Sequence, residues 1–219
     1  MQRIPEPELM EGREQAAAYA QADFREANTL FINLFAAAFP DFTGPTRVLD
    51  LGCGPGHILM AFAENFAGCT CLGIDGSAAM LSHGRGAAAR ISPSQVSLAC
   101  RTLPLNNEQD QWHVILSNSL LHHLADPDHL WQSIRTVAAP GALVLVMDLL
   151  RPASSAAAAA IVAKYSGNEP EILQDDFYRS LLAAYRLDEI KDQLSAHKLP
   201  FTCRQVSDRH LAVWGRLSP

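Results

Sequence analysis

Three glycines fall within five positions of VLDLGCGPGHILMAFA (Val48–Ala63), behind a short apolar run and ahead of an apolar stretch with helical spacing. Glycine takes positive φ at little steric cost and lets a ligand approach the main chain. A strand that ends in such a turn and feeds a helix presents backbone N–H groups at a helix N-terminus, a place suited to binding. The strand is RVLDLGC (47–53) and the helix HILMAFAENFA (57–67). This βα unit restricts the chain to folds in which strand ends open onto a ligand.

The rest of the chain repeats the unit. TCLGID (70–75), VSLACR (96–101), WHVILSNS (112–119) and GALVLVMDL (141–149) read as strands, with helices over 77–91 and 128–138. Alternation at this spacing implies an α/β fold with a parallel, doubly wound sheet. FTCRQVS (201–207) and HLAVWGRL (210–217) are joined by a short turn and should pair antiparallel, making seven strands. The first 40 residues read as a helical cap, with one helix over Pro7–Ala38. The core spans 45–150. Residues 151–180 form an inserted helical cap, and 181–219 hold the last helix and the hairpin, all within one domain.

Composition narrows the function. Hydrophobic residues make up 48% and charged ones 18%, as in a globular enzyme, and the net charge of -6 without a Lys/Arg run argues against nucleic acid or an anionic membrane as partner. The cysteines number five, an odd count without a disulfide pattern, which suggests reduced thiols in a cytoplasmic protein. Cys69 and Cys71 read as same-face residues of a buried strand rather than metal ligands. The opening MQRIPEPELMEGREQ is charged, contains proline and does not resemble a secretion signal.

Two carboxylates identify the ligand class. Asp50 stands at the glycine turn, where it would repel a pyrophosphate but accept an ammonium group. Asp75 ends the next strand, where a carboxylate can hold both ribose hydroxyls. A ligand with an amino-acid end, a ribose end and no phosphate between them is S-adenosylmethionine (SAM).

VLDLGCGPG followed by GIDGSAAML resembles the first two motifs of class I SAM-dependent methyltransferases, in the small-molecule branch of the ubiquinone/menaquinone-biosynthesis type. SNSLLHHLADPDHLWQSIRTVAAPGALVLVMD is similar to that family's later motifs. The resemblance implies a Rossmann-like seven-stranded sheet and a cofactor set of Tyr19, Asp50, Gly52, Cys53, Gly54, Asp75, Gly76, Ser77, Met80, Cys100, Arg101, Ser117 and Asn118. The family often carries an aspartate near the end of the third strand, where LACRTLPL offers Ala99, Cys100 and Arg101. That departure leaves the adenine contact to backbone groups.

Ligands of open α/β sheets bind beyond the C-terminal strand ends. The rule selects His122, His123, Asp148, Arg151, Arg209 and His210 as substrate-side candidates, without a metal, and lets Tyr165, Tyr178 and Tyr185 join Tyr19 and Phe24 in a lid. His122 and His123, as neighbours, are expected to point apart, and the acidic EPEILQDDF run to be a solvated face. The strand-end arginines suggest a cationic rim for an anionic acceptor. SNSL stands where base- or glutamine-amino methyltransferases carry Asn-Pro-Pro-Tyr, which argues for a small-molecule acceptor. Other functions keep the same cofactor: a non-catalytic binding scaffold, or an enzyme of non-methyl chemistry.

Overall fold

The computed structural model describes residues 1–6, 11–91, 95–106 and 110–217. Seven strands form one sheet in the order β3-β2-β1-β4-β5-β7-β6. They are β1 (Arg47–Leu51), β2 (Thr70–Asp75), β3 (Val96–Cys100), β4 (Trp112–Asn118), β5 (Ala138–Leu149), β6 (Thr202–Gln205) and β7 (His210–Arg216). The first five run parallel, with Leu49 beside both Leu72 and Ile115. β7 enters antiparallel to β5, with Leu149 opposite His210, and β6 pairs antiparallel with β7. The sheet is therefore the doubly wound form with a closing hairpin that the alternation of elements implies. Its order reverses between β1 and β4, the crevice where such sheets bind ligands.

Period-two alternation divides the apolar side chains between two cores. Leu49, Leu51, Ile115 and Val144 face α5 (Asp128–Val137) and α8 (Leu187–Ala196), where Trp131, Ile134 and Ile190 are fully buried. Val48, Val114, Leu116 and Leu145 face α2 (Arg25–Ala38) and α3 (His57–Asn65). There Phe35 meets Phe62 edge-on, with ring centroids 4.8 Å apart. Cys69 and Cys71 are buried in this second core and all five cysteines are free thiols, in keeping with the sequence.

The N-terminal helix departs from expectation. Instead of one helix there are two, α1 (Arg13–Gln21) and α2, broken at Ala22–Phe24; Pro7–Met10 lie outside the described residues. Asp23 makes the break by accepting the Arg25 N–H at 3.0 Å and pairing with its guanidinium, a local side-chain turn that competes with helix. The chain turns there so that Phe31 and Phe35 reach the core while α1 packs on α4 (Ala78–Ile91) and α7 (Glu171–Ala183). The 151–180 region holds α6 (Ser155–Ser166), capped by the Ser154 hydroxyl, and most of α7 (Glu171–Ala183). These two helices pack together over the C-terminal end of the sheet, with Leu149, Ala158, Val162 and Leu181 between them. Among the described residues no helix is long and apolar enough to cross a membrane.

Candidate active site

The loops after β1, β2, β3, β4 and β6 surround a cavity of about 350 Å³, covered by the α1–α2 corner and by α6 and α7. Its floor is the glycine turn. Gly52, Gly54 and Gly56 have φ of 71°, 53° and 85°. The N–H groups of Gly52 and Cys53 both donate to the Ile74 carbonyl at 2.9 Å, which ties the turn to β2. A Cβ on Gly52 would lie 2.6 Å from Leu120, whereas one on Gly54 would meet only Met80, at 3.5 Å. Gly52 is thus required by packing as well as by its φ, and Gly54 is the glycine that faces open space.

The two aspartates differ. Asp50 is 1% exposed, and neither of its carboxylate oxygens has a hydrogen-bond partner. Burial, and then the charge of Asp75, hold its pKa well above the usual carboxylate range. Asp75 accepts from the Gly54 N–H at 2.8 Å and the Ser77 N–H at 2.7 Å. Burial still raises its pKa, against those two bonds. Ser77 caps α4 by accepting the Met80 N–H at 3.2 Å. Tyr19 closes the opposite side, its ring tilted against that of Phe24 with centroids 4.6 Å apart, and burial pushes its phenol up to about 12.

Of the cofactor candidates, Tyr19, Asp50, Gly52, Cys53, Gly54, Asp75, Gly76, Ser77, Met80, Arg101 and Asn118 all border the cavity. Two do not. The Cys100 thiol turns outward onto the Gly76 carbonyl, and the buried Ser117 hydroxyl donates to the Leu51 carbonyl at 3.0 Å, tying β4 to β1. Ser119 escaped the sequence reading: it holds φ 54° just past β4, a conformation uncommon for a residue other than glycine.

The substrate side needs more correction. Asp148 is buried and does not border the cavity. Its carboxylate accepts from the Leu121, His122 and Leu149 N–H groups and holds His122 Nδ1. Burial works against both charges of this pair, but each partner outweighs it, so Asp148 sits below its ordinary pKa and His122 above. His122 and His123 do not point apart. Both lie in a 3-10 turn (Leu121–His123), their rings are 4.2 Å apart, and both face Glu6.

Arg151 is not on the rim: its buried guanidinium binds Glu189 and the Ala184 carbonyl, away from the cavity. Arg209 and His210 do border it. The Arg209 guanidinium lies 3.3 Å over the Tyr165 ring and faces Glu26 and Asp208, each at 3.5 Å. His210 is held by Ser207 at 2.9 Å, and burial with Arg209 nearby lowers its pKa to about 4. Tyr165 is on the cavity wall, but Tyr178 and Tyr185 are not. The EPEILQDDF run is only partly a solvated face: Glu171 and Asp175 are exposed, but Glu169, Leu173, Asp176 and Phe177 line the cavity. With these carboxylates beside Arg209 and the histidines, the rim is of mixed charge rather than cationic.

Residues 49–144 match a family model described as a methyltransferase domain. This segment is a methyltransferase domain. The model is a general one and carries the class, not a quinone-biosynthesis branch. Among curated proteins none matches the chain. Solved structures share its fold. The plantazolicin methyltransferase BpumL in complex with SAH is 14% identical, with TM-score 0.73 over 94% of this chain and 90% of that one. A SAM-dependent methyltransferase from Aquifex aeolicus is 14% identical, with TM-score 0.66 over 92% and 97%. YjhP from E. coli is 17% identical, with TM-score 0.60 over 89% and 74%. The fold around the methyltransferase domain is thus the Rossmann-like class I fold throughout.

Proposed function

We propose that the protein binds SAM in this cavity and transfers its methyl group to a small-molecule acceptor. The observation that carries the proposal is the buried Asp50 carboxylate, unpartnered beneath a positive-φ glycine turn, with Asp75 across the same floor. A buried carboxylate without a partner is costly unless a cation meets it. The ammonium of an amino acid fits that need. Asp75 keeps free lone pairs for ribose hydroxyls while its backbone bonds fix its position. Met80, Ile74 and Leu103 give apolar surface for a base. The donor set therefore fits SAM, and the SAH bound to BpumL supports the same choice.

When bound, the cofactor supplies a methyl group already activated on a sulfonium. The chain's own contribution is alignment and exclusion of water. Holding two reactants in line accounts for as much as about 7–11 kcal/mol of a barrier. Asp50, Asp75 and the turn fix one reactant; the His122–His123 turn, Tyr165 and Phe177 wall the space left for the other. The α1–α2 corner with Tyr19 and Phe24 covers the opening. The lining carboxylates Glu26, Glu169 and Asp176 favour a neutral or amine-bearing acceptor over a carboxylate. BpumL, which shares this fold, was crystallised with a pentazolic desmethylPZN analog together with SAH, which supports an acceptor space beside the cofactor.

The test is formation of SAH from SAM across a panel of amine, phenol and thiol acceptors. Turnover above the acceptor-free rate supports transfer. SAM binding without turnover on any acceptor would favour a scaffold role instead.

A further inference from the structure

We propose that Glu6, His122 and His123 form an open three-ligand site for a divalent transition-metal cation of the zinc type, on the acceptor wall of the cavity. Their ligand atoms all lie within 4.8 Å of one another. Glu6 Oε1 is 3.6 Å from His122 Nε2 and 3.3 Å from His123 Nδ1. A tetrahedral zinc with ligands at about 2.0–2.2 Å holds neighbouring ligand atoms about 3.4 Å apart. Those two separations bracket the required spacing. Two imidazoles and a carboxylate are also the donor types that zinc sites use.

The surroundings resemble the supporting shell of a metal site. A ligating histidine usually gives its second ring nitrogen to a carboxylate, which fixes the tautomer and aims the first nitrogen. Asp148 does this to His122 Nδ1, and three backbone N–H groups hold Asp148 itself. Ligating carboxylates are in turn hydrogen-bonded. Ser180 Oγ donates to Glu6 Oε1 at 2.9 Å. The nearby cation Arg3 is engaged by main chain, donating to the carbonyls of Ala183, His122 and Leu124. Its bond to Ala183 and the Ile4 N–H bond to the Leu182 carbonyl pin the segment that carries Glu6.

His122 and His123 both border the cavity, so the fourth metal position opens toward it. A three-ligand site with one open position is the arrangement of catalytic zinc. There the cation would bind an acceptor oxygen, nitrogen or sulfur and favour loss of its proton. That role rests on the methyl-transfer proposal; the binding site itself does not.

The experiment uses the full chain, stripped with chelator and then titrated with zinc by calorimetry and with cobalt(II) by visible absorption. The expected result is one equivalent bound, with the absorption of a tetrahedral cobalt site that lacks thiolate charge-transfer bands. Glu6→Gln and His123→Asn should each weaken binding by about 10–100-fold, while metal-free melting temperature and SAM affinity stay near wild type. No binding up to millimolar zinc overturns the site. So does binding that survives both substitutions, or that carries thiolate bands, since the free cysteines are then the ligands. Zinc loss with retained SAM binding counts against this site alone; SAM loss with retained zinc binding counts against the cofactor proposal alone.

Discussion

Asp148→Asn should destabilise the protein by about 3–5 kcal/mol, the usual cost of breaking a buried ion pair on one side. The number follows from the donors that converge there. Oδ2 receives the Leu121 N–H at 2.7 Å and the His122 N–H at 3.3 Å; Oδ1 receives the Leu149 N–H at 2.6 Å and His122 Nδ1. An asparagine replaces one of these acceptors by a donor. If the amide nitrogen takes the Oδ2 place, two backbone N–H groups face it. If it takes the Oδ1 place, a change of His122 tautomer rescues one contact, but the Leu149 N–H still meets a donor. Asp148 is 3% exposed, so water does not relieve the clash. Urea unfolding should show a lower midpoint with an unchanged slope. The melting temperature of a chain this size should drop by about 6–20 °C. A variant within 1 kcal/mol of wild type would refute the reasoning that Asp148 anchors the His122 turn.

His210 gives a pH dependence with a definite sign. Its folded pKa of about 4 lies below the ordinary 6.5, so as pH falls from about 6.5 the unfolded chain takes up the proton first and stability declines until about pH 4. The full loss is about 3 kcal/mol, and His210→Asn should flatten this part of a urea-midpoint profile; an unchanged acid limb argues against it. Gly54→Ala should fold, with a strain of about 1–2 kcal/mol from its φ of 53°, and lose SAM affinity in calorimetry. Gly52→Ala should cost more stability, because its Cβ meets Leu120 at 2.6 Å; equal unfolding midpoints would contradict the distinction. Arg151→Met should lower stability by leaving Glu189 without its closest partner while the acceptor KM holds, and Arg209→Met should raise that KM with cofactor affinity unchanged. Kinetics showing the reverse pattern would contradict the placement of both arginines.

Much of the core was legible because its signals are local. The ends of β1 and β2, with Asp50 and Asp75, and the glycine turn between them follow from apolar runs and turn chemistry, so the cavity floor could be read from the chain. The strand-end rule also found His122, His123, Arg209 and His210. It misplaced Arg151, because direction after a strand end depends on the partner it finds, here Glu189 on α8. The cap was less readable. A helical pattern does not reveal an Asp23 turn in its middle, and acidic Glu169 and Asp176 look solvated until α7 is folded over the cavity. Glu6 belongs to no periodic element, so no local signal leads to it. Gly84 in α4 is a second feature that no local pattern explains. It is a close contact, since a Cβ there would lie 2.0 Å from the Pro55 carbonyl oxygen.

The central claim is that this floor was built for the ammonium and ribose of SAM. Calorimetric titration of the purified chain with SAM, in parallel with Asp50→Asn, tests it most directly. The account predicts one equivalent bound in the micromolar range, about -8 kcal/mol. It also predicts a loss of about 10–100-fold in the variant, the worth of one hydrogen bond to a charged group at about 1.5–3 kcal/mol. No heat at millimolar SAM, or an affinity indifferent to Asp50, would contradict it.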